Sequence, residues 1–523
     1  MSTSSRTRII RGLLSSSFGT ALSRVLGAAR DIAITNRFGA GSVSDAFWVA
    51  FTIPSVFRRF VADEGLTGAL IPALAREESE RGRAGGLALS DVAFTALLLL
   101  CGLLCAAGIA LAPALVLLFG WGFADNAEQY ALAVSLTRWM FPFVALVALV
   151  SFCEGVLNFR GHFLVPKLAP GLVSGTLVVA AVWGAELFSE PVWALPAGLL
   201  AGGVAHFLIH LPVMRRLWHV PRLTRRFDHP GFRSLVREMG KVALIGVCAQ
   251  LNIMLLRSFA SMLDPGAVTH YWIANRLMDL PQGIIGVGLG SALLPAITDD
   301  VVSGDWDAFR RNMVFGLRLA TFMLLPAAAV MAAFPVPIVS VLFRHGSFTP
   351  ADLVTTGKTF ACMVPYFLGV AGIHLLKRGY FAIDERGVVL KVGFAGTAIV
   401  AACGYTMSSR YGVVGLALAL SFATVCQLVA YVALLGPRIH GPLPLRTLGL
   451  AALRIAIACA PLVAVLLAAT PLGRWQRGPA DGLNIVVLVT ALTVASAVYI
   501  GSAKALGVEE LGWILRRFRR RRG

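Results

Sequence analysis

Charge is scarce in this chain. Only 14% of its 523 residues are Asp, Glu, Lys or Arg, against roughly 25% in soluble domains. A water-exposed surface over most of the length is thereby excluded. Acidic residues are scarcer still, 27 against 46 Lys and Arg, for a formal net charge of +19. None of the eight cysteines, from Cys101 to Cys459, belongs to a Cys-x-x-Cys pair. They read as small core residues rather than disulfides or metal ligands. Ser–His–Asp, HExxH, P-loop and Gly-rich nucleotide motifs are also missing, and no soluble stretch is long enough to bind ATP. An enzyme or an ATP-driven pump is therefore not expected, and any energy input must come from ion gradients, membrane potential or substrate flux.

What is present is apolar, 57% of all residues. The apolar runs approach the ~20 residues that cross a bilayer as a helix, not the alternating ~10 of a barrel strand. In hydrocarbon only these two forms satisfy every backbone group. An all-α polytopic membrane protein of about fourteen spans follows from the hydropathy. They fall near 12–36, 45–74, 91–119, 130–157, 164–187 and 193–214, then 241–262, 270–297, 313–343, 354–381, 388–408 and 412–436, and last 447–470 and 483–505. The N-terminus, with Arg6, Arg8 and Arg11, lacks a clean small-residue cleavage site and reads as a retained first helix.

Basic residues concentrate in alternate links. Met214–Lys241 carries Arg215, Arg216, Arg222, Arg225 and others, the link after the second span holds Arg76, Arg81 and Arg83, and the tail ends in Arg516–Arg522. The intervening links at Trp121–Gln129, Glu186–Val192 and Leu263–Ala267 have no Lys or Arg. The positive-inside rule puts the basic links and both termini in the cytoplasm. Topology accounts for the positive charge, so no nucleic-acid partner is expected, and the tail can also touch anionic membrane lipid.

An internal repeat divides the chain. Gly65-Leu-Thr-Gly-Ala-Leu-Ile-Pro-Ala-Leu74 parallels Gly288-Leu-Gly-Ser-Ala-Leu-Leu-Pro-Ala-Ile297, each preceded by a proline, Pro54 or Pro281. Two six-helix lobes related as parallel repeats follow, a common transporter plan. The expected divisions are 1–220, 221–440, a final helix pair at 441–505 and a basic tail at 506–523. Two such lobes facing each other would enclose a central cavity.

Arginine recurs within membrane-length segments at Arg24, Arg30, Arg58, Arg59 and Arg276. An ionised side chain at bilayer depth costs at least ~2.5–3.5 kcal/mol, so such residues usually face a water-filled, protein-lined cavity. Ion pairing is the plainer account: Arg30 with Asp31 or Asp45, Arg59 with Asp63, Arg276 with Asp279. It fits Arg59 best, at the membrane edge. The remaining four exceed what nearby acids neutralise if Asp45 serves its own capping role, and they suggest an anion site shared between the lobes. A diphosphate suits it, because its oxygens accept bidentate guanidinium hydrogen bonds. Pro54, Gly283, Gly286 and Gly288 are candidate hinges. His206 and His210 have the i,i+4 spacing of helical metal ligands, but no third donor is near in sequence, so no metal is expected. Glu154 and Arg138 could relay protons, although sixteen residues apart (roughly 24 Å along a helix) they would not touch.

The segment Ser23-Arg-Val-Leu-Gly-Ala-Ala-Arg-Asp31, with Phe38-Gly-Ala-Gly41, Asp45-Ala-Phe47, Pro54, Arg58-Arg59 and Ile71-Pro72, closely resembles the signature of the MurJ (MviN) lipid II flippases. These belong to the multidrug/oligosaccharidyl-lipid/polysaccharide exporter superfamily. Ala274-Asn-Arg-Leu-Met-Asp-Leu-Pro281 is a second match. The resemblance implies V-shaped lobes that carry lipid II from the inner to the outer leaflet of the bacterial inner membrane for peptidoglycan synthesis. It also implies that Arg24, Arg30, Arg58 and Arg276 engage the diphosphate and head group, with Asp31 and Asp45 as acidic residues near the cavity. The last two helices would hold the polyprenyl tail, and the cell-wall elongation or division machinery would be a partner. The alternative is another exporter of the same superfamily, for O-antigen lipid or cationic drugs, although a drug exporter would favour acidic cavities. Three departures stand out: Asn275 where an aspartate is usual, an extra residue between Arg59 and Gly65, and Leu255-Leu256-Arg257 where some relatives have an acidic cation ligand. The last argues against sodium coupling and leaves membrane potential or another ion. No cofactor is expected.

Overall fold

The computed structural model describes residues 22–59, 66–225 and 227–513. Arg6, Arg8, Arg11, Asp63, Glu64, Gly65 and the tail from Arg516 lie outside them. Every regular element among the described residues is helical, and the protein is an all-α, multi-pass membrane protein. Nine helical segments of the described residues are long and apolar enough to cross a bilayer, from Ala69–Ala110 to Gly482–Ala505.

The chain divides into two compact units, Met1–Pro265 and Gly266–Gly523. The first contains α1 (22–38), α2 (Ser42–Arg58), α3 (Thr67–Ala110), α4 (Ala112–Phe119), α5 (Ala127–Met140), α6 (Phe143–Phe159), α7 (Leu164–Leu168), α8 (Pro170–Val182), α9 (Ala194–Leu208), α10 (His210–Leu217) and α11 (Pro230–Ser261). The second contains α12 (Ala267–Ser303), α13 (Trp306–Ala333), α14 (Pro335–Phe343), α15 (Pro350–Cys362), α16 (Val364–Ala382), α17 (Arg386–Leu435), α18 (Leu445–Ala469) and α19 (Gly482–Ala505). Within the first unit, α11 packs on α3, α4 and the turn Trp121–Asp125.

Glycine and proline set where these helices break. In the 50-residue α17, Gly412 adopts φ 58°, ψ −143°, and separates the spans expected near 388–408 and 412–436. A side chain there would be strained, whereas glycine enters positive φ at no steric cost. At the α5–α6 joint, Pro142 brings no N–H to continue the ladder. Between α9 and α10 the cause is Pro212, whose missing donor and ring crowd the carbonyl four residues earlier, at Leu208.

Lipid gives helices no hydrophobic reason to associate, so small residues and close packing must hold them together. On α9, Gly198 and Gly202 form a Gly-x-x-x-Gly face against α8. A Cβ at Gly198 would lie 2.5 Å from Ala180 Cβ, and one at Gly202 2.2 Å from Thr176 Oγ1. The first unit also has a core of Leu70, Leu74, Leu89, Phe152 and Trp218, and the second has one of Phe322, Ile455, Leu462, Leu466 and Tyr499.

The internal repeat is visible in burial. Leu70 and Leu293 are buried at matching positions, as are Leu74 and Ile297, while Pro72 and Pro295 are both exposed. Each unit thus turns the same face of its copy inward.

The basic link after α10 is tied to α3. Asp91 Oδ1 lies 2.7 Å from His219 Nε2 and accepts the Arg222 N–H at 2.8 Å. Arg160 donates to Glu78 at 3.0 Å and lies 4.0 Å above the Trp218 ring. In the second unit, Arg318 on α13 donates to Glu510 at 2.6 Å and Glu509 at 2.8 Å, and Trp513 packs on Phe315. Glu510 is 1% exposed, so Arg318→Ala leaves its carboxylate without that charge. We expect residues 508–513 to detach from α13, seen as faster limited proteolysis after α19 while the rest of the chain resists as before.

Candidate functional site

The arginines singled out from sequence are distributed over both units. Arg24 and Arg30 lie on α1, Arg58 in the last turn of α2 and Arg276 on α12. The first three belong to the first unit and Arg276 to the second.

Arg30 has the most defined setting. Its Nε and Nη2 both donate to Asp31 Oδ1, at 2.8 and 2.6 Å, and its guanidinium carbon lies 5.4 Å from the centroid of Phe51 on α2. The Arg30 side chain is 11% exposed and that of Asp31 0%. Adjacent residues on a helix normally diverge, so this pair forms only because both side chains bend to one side. The two hydrogen bonds and the ring hold the guanidinium in one orientation. The expected pairing with Asp31 is therefore present, and it also positions a cation on α1.

Asp45 is 3% exposed in the first turn of α2, where the helix dipole favours negative charge. At the same terminus Ser44 Oγ accepts the Gly41 N–H at 2.9 Å. Arg58 closes α2 and interacts favourably with the opposite end of the dipole. Arg59 is exposed, and its expected partner Asp63 lies outside the described residues. Pro54 is buried inside α2, where it leaves the Ala50 carbonyl without its usual donor. Gly283, Gly286 and Gly288 all lie within α12, between Pro281 and Pro295.

Two further charged residues stand out in the structure. Arg257 on α11, read from sequence only as a departure from a cation ligand, is 4% exposed. Its place after the apolar run Ile253-Met-Leu-Leu was the available signal. Glu154 on α6 does not meet Arg138, which is exposed on α5; it lies instead beside His206 of α9, 3.8 Å from Nε2.

Residues 34–478 match the family model described as lipid II flippase MurJ. The chain belongs to the MurJ family. The lipid II flippase MurJ of Burkholderia cenocepacia is 32% identical over 444 residues, covering 83% of this chain and 86% of the relative. The probable lipid II flippase MurJ of Bdellovibrio bacteriovorus is 29% identical over 98% of this chain and 97% of its own. A solved structure of lipid II flippase MurJ in an inward closed conformation has a TM-score of 0.77 at 18% identity, covering 92% of this chain and 98% of that one. An inward-facing multidrug resistance transporter of the MATE family gives 0.67 at 15% identity, over 82% and 98%. At those identities the two structures show a shared fold. The MurJ family match includes Asp45, Arg58, Arg257 and Arg276, whereas Arg24, Arg30 and Asp31 precede it. The protein is a transporter-family member and not an enzyme.

Proposed function

We propose that this chain carries lipid II, an undecaprenyl-diphosphate-linked disaccharide-pentapeptide, from the inner to the outer leaflet of the bacterial inner membrane. Its membership of the MurJ family over most of its length carries this reading. Arg24, Arg30, Arg58 and Arg276 bind the diphosphate and head group. Guanidinium suits the task because it stays charged at any physiological pH and offers a planar fork to phosphate oxygens. Asp31 holds Arg30 in the orientation that presents that fork.

Transport proceeds by alternating access, with Pro54, Gly283, Gly286 and Gly288 accommodating the bend. The substrate shifts the equilibrium only because it binds the two states differently. The basic links and both termini face the cytoplasm. The polyprenyl tail stays among α18 and α19, which expose Leu450, Leu453, Ile457, Val486 and Val489. Membrane potential or an ion supplies the coupling, and the elongation or division machinery is the partner that uses the product.

Depletion of the protein, with lipid II labelled separately in each leaflet, tests the reading: outer-leaflet lipid II should fall and inner-leaflet lipid II accumulate. Complementation with Arg276→Ala should leave export ~10–100-fold down, since a charged hydrogen bond is worth about 1.5–3 kcal/mol. Normal export by this variant, at normal membrane abundance, would remove Arg276 from the binding set. Unchanged leaflet distribution on depletion would sink the flippase reading itself.

A further inference from the structure

Glu154, His206 and His210 form a cluster that the flippase reading does not use. Their ligand atoms all lie within 4.8 Å of one another. His206 is 5% and His210 0% exposed, so this is an interior site. His210 Nδ1 is 2.7 Å from the His206 carbonyl oxygen. A carbonyl only accepts, so Nδ1 carries the proton and the lone pair of the neutral ring sits on Nε2. Neither that nitrogen nor either ring nitrogen of His206 has a hydrogen-bond partner. Buried polar atoms are nearly always satisfied, and three such nitrogens in one place call for an explanation.

We infer that Glu154, His206 and His210 bind a divalent transition-metal ion of the zinc type, which pins α6 to the α9–α10 joint. Two imidazoles and one carboxylate are an N/O donor set that suits such an ion, and three protein ligands leave a fourth position for water. A tetrahedral ion with bonds of about 2.1 Å needs donors roughly 3.4 Å apart. Glu154 Oε1 and His206 Nε2 are already 3.8 Å apart. The His210 Nδ1–H to carbonyl bond is the outer contact that fixes the tautomer and ring orientation of a metal-bound histidine. One turn further along α6 Asn158 Oδ1, and just past the end of that helix His162 Nε2, are also buried without partners.

This inference does not depend on the transported substrate. Full-length protein carrying no polyhistidine tag, stripped with a chelator in detergent, is titrated with zinc chloride against a chromogenic competitor. One equivalent should bind. Glu154→Gln and the double change His206→Ala, His210→Ala should each weaken it at least ~10-fold, the range seen even for outer contacts. His210→Cys, which offers a thiolate, should retain binding and guards against misfolding of the alanine variants. Zinc should also raise the melting temperature of the wild type and not that of the double variant. Absence of stoichiometric binding by the wild type, or equal binding by the folded double variant, would overturn the assignment.

Discussion

Arg30→Ala should both destabilise the first unit and abolish lipid II export, and adding Asp31→Asn should restore only the stability. Asp31 is a fully buried carboxylate whose Oδ1 accepts two guanidinium hydrogen bonds. Removing one partner of a buried pair costs about 3–5 kcal/mol, because a charge is left in a medium that solvates it poorly. Neutralising the other partner relieves most of that cost. The double variant should therefore melt close to the wild type. It should still fail in the leaflet-labelling assay, because the guanidinium that would meet the diphosphate is gone. Arg30→Lys is the informative intermediate: it keeps a charge beside Asp31 but loses the fork and the broad contact with Phe51. We expect it to fold and to transport poorly. Transport by the double variant at wild-type rate would reduce Arg30 to a purely structural role.

Gly122→Ala should unsettle the first unit from a position that carries no charge. Gly122 lies in the short turn Trp121–Asp125 and donates its N–H to Ser261 Oγ at 3.0 Å. A Cβ there would sit 2.2 Å from the Ser261 carbonyl oxygen, 2.4 Å from its carbon and 2.5 Å from Met262 Cα. All three are backbone atoms at the end of α11, so no side chain can swing aside. Either the turn or the helix end must move, and the hydrogen bond is lost with it. Overpacking of this kind costs about 1–3 kcal/mol. Thermal melting in detergent should show the drop, and Gly122→Val should exceed it. Gly102→Ala is the control, since nothing lies within 4 Å of a Cβ at that position. Equal melting of the Gly122 and Gly102 variants would show that the turn does not hold α11.

The membrane character of the chain, its helical class and its two-fold organisation were legible in the sequence, for one physical reason. A span must be apolar over a bilayer-length run, and that constraint is local in the chain. The Arg30–Asp31 contact was legible too, because its partners are neighbours. The arginines, Pro54 and the glycines of α12 could be named by residue type, but their roles could not.

Contacts between distant segments were not legible. The membership of α11 in the first unit depends on its packing against α3, α4 and the turn holding Gly122. Hydropathy cannot report this, since lipid-facing and helix-facing surfaces are equally apolar. The histidine pair showed its i,i+4 spacing in the sequence but lacked a third donor. That donor, Glu154, lies on another helix and arrives only when α6 packs against α9 and α10. Sequence determined that the chain is helical and enters the membrane; tertiary packing decided which of its charges meet.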